Sequence, residues 1–274
     1  MLYDQHLHSK HSFDSETEPD DNVRRALELG LGGLTFTEHF DTHADEWTAC
    51  RYDEARYTDD IARLRDRYGD RLFIGKGIEI CYQPQNARVI LDHLEQHEFD
   101  LVILSVHWTR RGAIHQRRGW EELGPVGGTR LYLETVLDAA RWANSLGEQH
   151  GRVFDVLGHL DLARRYAHRF FNHYDPNDGA DIVDEILRTC LAAELVPEIN
   201  TSTVRAGPGR PMPDAPVVAR YAELGGRAMI LGSDAHRPEH VAGHFGYAVP
   251  VLRQNGITGQ AVYRHRRLAI ETLE

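Results

Sequence analysis

Apolar stretches at Met1–His6, Leu34–Thr37, Leu72–Ile80, Leu101–Val106, Val153–Leu157, Leu195–Ile199 and Ala228–Leu231 punctuate the chain and predict strands. Helical stretches lie between them, at Asp20–Leu29, Arg51–Tyr68, Asn86–His97, Leu131–His150, Asp178–Ala193 and Asp214–Leu224. Several run into glycine (Gly30, Gly69, Gly151, Gly225), the residue that most readily takes the left-handed conformation ending a helix. A short helix over Thr258–Arg266 is predicted to close the chain. Strand followed by helix, repeated seven times, implies parallel β-α units. No linker, low-complexity segment or internal repeat interrupts the pattern, so residues 1–274 are expected to form one domain.

What stands at the strand ends decides between an open sheet and a barrel. His6 and His8 end the first strand, and alternation along a strand puts both imidazoles on one face. His39, Glu79, His107 and His159 end the next four, Glu198 and Asn200 the sixth, and Asp234 and His236 follow the seventh. An open doubly wound sheet gathers its chemistry at one switch point, whereas a β/α barrel gathers it from every strand at the C-terminal face. The expected fold is therefore an α/β barrel of seven strands with its site at that face.

Composition narrows the chemistry. The chain has 274 residues, 41% of them hydrophobic, enough for a large core. No apolar run is long enough to span a bilayer, and no signal peptide is apparent. Three cysteines, Cys50, Cys81 and Cys190, lack C-x-x-C spacing, which disfavours a disulfide framework and fits the cytoplasm. A formal net charge of -11 argues against a nucleic-acid surface. The 17 histidines are dispersed rather than tagged. His6, His8, Asp14, His39, Glu79, His107, His159, Asp234 and His236 are too many ligands for one ion, so two or three divalent ions (Zn, Mn or Fe) are expected, with Glu79 able to bridge. His93, His97, His150 and His168 read as solvated helix residues, and His11, His43, His115 and His173 as loop residues over the mouth.

The motifs His6-Leu7-His8 with Asp14, Glu38-His39, Gly158-His159-Leu160-Asp161 and Asp234-Ala235-His236, with Glu79 and His107, resemble the polymerase and histidinol phosphatase (PHP) family over nearly the whole chain. The resemblance implies a distorted (β/α)7 TIM-like barrel carrying a trinuclear metal centre. It implies a first metal on His6, His8, Glu79 and Asp234, a second on Glu79, His107 and His159, and a third on Asp14, His39 and His236. Asp14 stands where many members have histidine. The strings Gly158–Arg165, Glu198–Ser202 and Gly232–His236 resemble the histidinol-phosphatase branch. That branch implies a metal-dependent phosphomonoesterase of histidine biosynthesis, acting on histidinol phosphate. Glu79, Asp234 and His236 are then the catalytic candidates, with phosphate held by Arg205 and by Arg164 or Arg165. The partner is a small phosphorylated molecule, with neither nucleic acid nor membrane, and the oligomeric state is left open. Asp41, Asp45 and Glu46 are acidic loop residues able to attract a cationic substrate group, and His236 or an Asp161-linked water could protonate the leaving group. The other readings are a phosphoesterase for nucleotides or sugar phosphates, an amidohydrolase (which would want a bridging lysine from Lys10 or Lys76), and a non-catalytic metal-binding domain.

Overall fold

The computed structural model describes residues 1–45 and 52–273. Strands β1 (Tyr3–Leu7), β2 (Gly33–Phe40), β3 (Phe73–Cys81) and β4 (Leu101–Ser105) pair in parallel and in chain order. After a two-residue ribbon, β5 (Trp108–Thr109) with β6 (Gly112–Ala113), the parallel series continues through β7 (Val156–Leu157), β8 (Val196–Asn200) and β9 (Ala228–Gly232). The helices are α1 (Pro19–Glu28), α2 (Glu54–Tyr68), α3 (Ala87–Gln96), α4 (Gly124–His150), α5 (Ala163–Phe171), α6 (Ala180–Ala192), α7 (Ser202–Ala206), α8 (Ala215–Glu223) and α9 (Phe245–Gln254). The seven parallel strands are those expected, and the barrel closes where Leu7 bridges Ala235, with the Asp234 amide donating to the His6 carbonyl at 2.7 Å and the His8 amide to the Ala235 carbonyl at 2.8 Å.

Closure at the opposite end is different. The segment Thr258–Arg266, expected to be helical, instead contains strand β10 (Gly259–Arg264), which runs parallel to β9 and turns back into antiparallel β11 (Arg267–Thr272). Two glutamine amides stand in for peptide groups across the gap between β1 and β10. Gln260 accepts from the Tyr3 amide at 3.0 Å and donates back to the Tyr3 carbonyl, and Gln5 accepts from the Tyr263 amide at 2.8 Å and donates to the Ala261 carbonyl. The barrel floor is a buried apolar cluster of Leu101, Ile103, Val156, Val196, Ala228, Ile230, Ala261 and Tyr263. A larger apolar cluster joins the barrel to the helices.

Helix α4 starts at Gly124, a turn and more ahead of the expected Leu131. Its glycine-rich first turns look unhelical in sequence, yet a Cβ on Gly128 would sit 2.2 Å from the Trp120 ring, so packing selects glycine there. No helix among the described residues is long and apolar enough to cross a membrane. Cys81 and Cys190 are free and buried, while Cys50, Glu46 and the expected helix start at Arg51 lie outside the described residues.

Candidate metal centre

Glu79, near the end of β3 and 1% exposed, is the hub. Its Oε2 lies 3.3 Å from His6 Nε2, 3.1 Å from His39 Nδ1 and 3.6 Å from His8 Nε2. Its Oε1 lies 3.4 Å from His107 Nε2 and 2.9 Å from His159 Nε2, and accepts the Ser105 hydroxyl at 2.6 Å. Strand alternation delivers these groups, because Glu79 pairs in register with His39 and with Ile103, two residues before Ser105. Nearby, His8 Nε2 lies 3.4 Å from Asp234 Oδ1, and Asp14 Oδ2 lies 3.0 Å from His236 Nε2 and 3.5 Å from His39 Nε2. All nine residues expected as ligands thus meet in one place, on strands β1, β2 and β3 and on the loops that follow β1, β4, β7 and β9.

The donor set fits divalent cations. His6 Nε2, His8 Nε2, His39 Nδ1 and Glu79 Oε2 are buried and make no hydrogen bond, a costly arrangement unless something else uses those lone pairs. Ligand atoms converge in the sets His6, His8, Asp234; His8, His39, His236; His6, Glu79, His159; and His39, Glu79, His107. Burial works against the charge on Glu79, but His6, His107 and His39 overcome it and hold the carboxyl well below its ordinary range. Asp234 is held low in the same way by His8, His6 and His236. Burial, with His39 and His236 close by, pushes His8 down to about 3, so its ring is neutral, the form that ligates. Ionised carboxylates and a neutral imidazole at bonding reach make a multi-metal site of imidazole and carboxylate ligands.

A second layer of carboxylates orients the rings. His6 Nδ1 meets Glu198 Oε1 at 2.8 Å, and His107 Nδ1 meets Asp41 Oδ2 at 2.9 Å. Glu198 also accepts from the His159 amide at 2.7 Å, and Gly232 leaves it room, since a Cβ there would lie 2.0 Å from Glu198 Oε1. The sequence reading gave Glu198 no role and took Asp41 for a substrate-attracting loop residue. The available signal was Glu198 itself: a carboxylate inside the apolar stretch Val196–Asn200 must be paired. Asp41 is only 2% exposed and belongs to His107. Asp41→Asn is expected to weaken metal binding about 10- to 100-fold with the fold intact. Metal titration followed by calorimetry, with circular dichroism as the control, checks this, and unchanged affinity would make the Asp41–His107 contact incidental.

A cavity of about 340 Å³ opens onto seven of the candidate ligands, and Phe13, Asp41, Ile114, His115, Leu162, Arg165 and Tyr166 form the rest of its wall. The three candidate arginines part company here. Arg165 lines the cavity, hydrogen-bonded to Ser202 and 3.8 Å from Asp234 Oδ2. Arg164 is 3% exposed and donates to the carbonyls of Asp175, Pro176 and Asp178, so it ties down a loop and is absent from the cavity wall. Arg205 donates to the carbonyls of Ser233 at 2.9 Å and Asp234 at 2.7 Å, and so supports the loop that carries this candidate ligand. Asp161 is buried beside Arg164 Nε at 3.3 Å, away from the cavity wall. Of the loop histidines only His115 lines the cavity; His11 meets Asp60, His43 stacks on Trp108, and His173 meets Asp178. His93, expected to be solvated, stacks on Phe40 and meets the Tyr52 hydroxyl at 2.7 Å. Lys10 meets Glu18 and Asp60, and Lys76 meets Glu54, so neither acts as a bridging lysine. A wider groove of about 1080 Å³ between α2 and α3 contains none of the nine ligands.

The PHP domain matches residues 4–202. A probable histidinol-phosphatase of Deinococcus radiodurans is 29% identical over 97% of this chain and 98% of its own length. The histidinol-phosphatase of Lactococcus lactis is 28% identical over 85% of this chain and 83% of its own. The crystal structure of the Lactococcus lactis histidinol phosphate phosphatase, complexed with zinc, L-histidinol and phosphate, superposes with a TM-score of 0.82 at 23% identity, covering 98% of each chain. The family match spans most of the chain, and five histidines surround Glu79 with Asp14, Asp234 and His236 beside them: the chain belongs to the PHP-domain family, as a metal-dependent phosphoesterase of the histidinol-phosphatase-like kind.

Proposed function

We propose that the protein hydrolyses histidinol phosphate to histidinol and phosphate in histidine biosynthesis, in the cytoplasm, with residues 1–274 acting as one metallohydrolase domain. The observation that carries this reading is a small cavity lined by seven of the nine candidate ligands and by one guanidinium, that of Arg165. Its 340 Å³ sits at the small end of ligand pockets, a size suited to a monoester of a compact alcohol. The likeness to histidinol phosphatases along the whole chain supports that alcohol.

His6, His8, Glu79 and Asp234 would hold one ion, Glu79, His107 and His159 a second, and Asp14, His39 and His236 a third. Bound there, divalent ions of zinc, manganese or iron supply positive charge for the phosphoryl oxygens and lower the pKa of an attacking water. The protein's own groups do the rest. Arg165 lines the cavity beside Asp234, 3.8 Å from its Oδ2, and would present a fork of N–H donors matched to phosphate oxygens. Phe13, Ile114, Leu162 and Tyr166 wall off the alcohol part and exclude water from it. His236 is 29% exposed, lines the cavity, and is kept protonated more readily than an ordinary imidazole by Asp14 and Asp234, against the effect of burial. It can give a proton to the departing alkoxide only when the third site is empty, because an imidazole nitrogen that holds an ion carries no proton.

Phosphate release tests the proposal, with protein stripped of metal and reloaded with zinc, manganese or iron. A kcat/KM for histidinol phosphate about a hundredfold above sugar phosphates and nucleotides, roughly 2.7 kcal/mol of discrimination, is expected. A profile peaking on another monoester would keep the phosphoesterase and discard this substrate.

A further inference from the structure

Strand β11 is the edge of the sheet, at the end of the barrel away from the metal ligands, and nothing among the described residues covers it. Its six residues contain no proline, lysine or bulge, and its two charges, Arg267 and Glu271, are of opposite sign. Leu268 is 43% exposed and Ile270 58%. The hydrogen-bond phase of the hairpin is fixed by the Leu273 amide, which donates to the Thr258 carbonyl at 2.9 Å. Antiparallel pairs alternate, so the pairs Gln260 with Glu271, Val262 with Ala269 and Arg264 with Arg267 are the bonded ones. The N–H and C=O groups of Leu268, Ile270 and Thr272 therefore point away from β10. The Tyr263 amide, donating to Gln5 on the other side of β10, shows the same phase.

The sequence of this edge is self-complementary. If a second copy adds its own β11 antiparallel, with Ala269 opposite Ala269 on the two-fold axis, Leu268 of each copy meets Ile270 of the other. That pair is the kind whose outward N–H and C=O groups bond reciprocally. On the opposite face, Arg267 of each copy meets Glu271 of the other, opposite charges directly across the ladder. The smallest side chain of the strand stands where the two backbones approach most closely, in the non-bonded pair on the axis. Shifting the axis by one residue, to Leu268 or Ile270, loses the charge pairing. We propose that the protein forms a two-fold dimer through β11, joining two barrels at their floors into one continuous sheet and leaving both cavities open. A second copy is the occupant favoured because charge, apolar pairing and hydrogen-bond phase agree in a single isologous register.

Two six-residue strands make a small interface, so the pairing is expected to depend on concentration, and masses are best read by sedimentation equilibrium from about 1 to about 300 μM. The full chain should approach twice 31.2 kDa over this range. Arg267→Glu places acid opposite acid and should leave a monomer at every concentration. Ile270→Pro removes an outward donor without touching a hairpin bond and should do the same. The double exchange Arg267→Glu with Glu271→Arg restores opposite charges and should return the dimer, which no effect on hairpin folding alone would do. Phosphatase activity should be unchanged in all three variants. A wild-type chain that stays monomeric, or a double exchange that fails to recover the mass lost in Arg267→Glu, overturns the proposal, as does a dimer indifferent to these substitutions.

Discussion

Glu79→Gln is expected to lose metal and activity together, with kcat falling at least about a thousandfold. The carboxylate sits between five imidazole nitrogens, its two oxygens divided between them. Replacing one oxygen with an amide nitrogen removes both a negative charge and one acceptor. The amide's N–H groups would then face imidazole lone pairs, a repulsive arrangement in a buried site. In the metal-free protein, where Glu79 with Glu198, Asp14 and Asp41 lets His6, His39 and His107 hold a proton more readily than free imidazoles despite burial, neutralising the hub also removes much of that counter-charge. The variant should therefore bind fewer ions per chain by elemental analysis, and its metal-free form should be the less stable one. Full metal occupancy with lost activity would show that Glu79 serves the reaction without holding two ions.

Eight of the nine candidate ligands were legible because they stand at or just past the end of an apolar stretch, and β/α geometry carries such positions to one face, while Asp14 lies farther out in the loop after β1. The second layer was not. Asp41 looks like any acidic loop residue, and only the fold reveals that His107 lies 2.9 Å away. The hairpin was misread for a different reason. Its turn, His265-Arg266, has φ of 50° and 62°, a left-handed pair normally signalled by Asn-Gly. Here Asp100 holds the turn instead, its side chain accepting from the His265 amide at 2.8 Å and its carbonyl from the Arg266 amide at 3.0 Å. A partner 165 positions away in sequence leaves no local trace in the turn itself. The arginines show a third limit. Arg164 and Arg165 are neighbours, and only the phase of α5, where adjacent side chains diverge by about 100°, decides which one reaches the cavity.

That phase leads to the second large effect. Arg165→Ala is expected to lower kcat/KM for phosphate esters by about a hundredfold or more, because it removes the one guanidinium among the described residues of the cavity wall. Excess metal should not restore the loss, since Arg165 lies beside Asp234 without being a ligand. Arg205→Ala should behave differently. Its guanidinium bonds the carbonyls of Ser233 and Asp234, and Asp234 holds a left-handed φ of 52°, a conformation that costs a non-glycine residue about 1 kcal/mol or more. Removing Arg205 frees the loop that presents Asp234, so metal affinity should fall, and raising the metal concentration should recover much of the activity. The two variants thus separate by one measurement, kcat/KM against free metal. A curve for Arg165→Ala that climbs back to the wild-type plateau would make that residue a support for Asp234. A curve for Arg205→Ala that stays flat and low would move Arg205 into direct contact with phosphate.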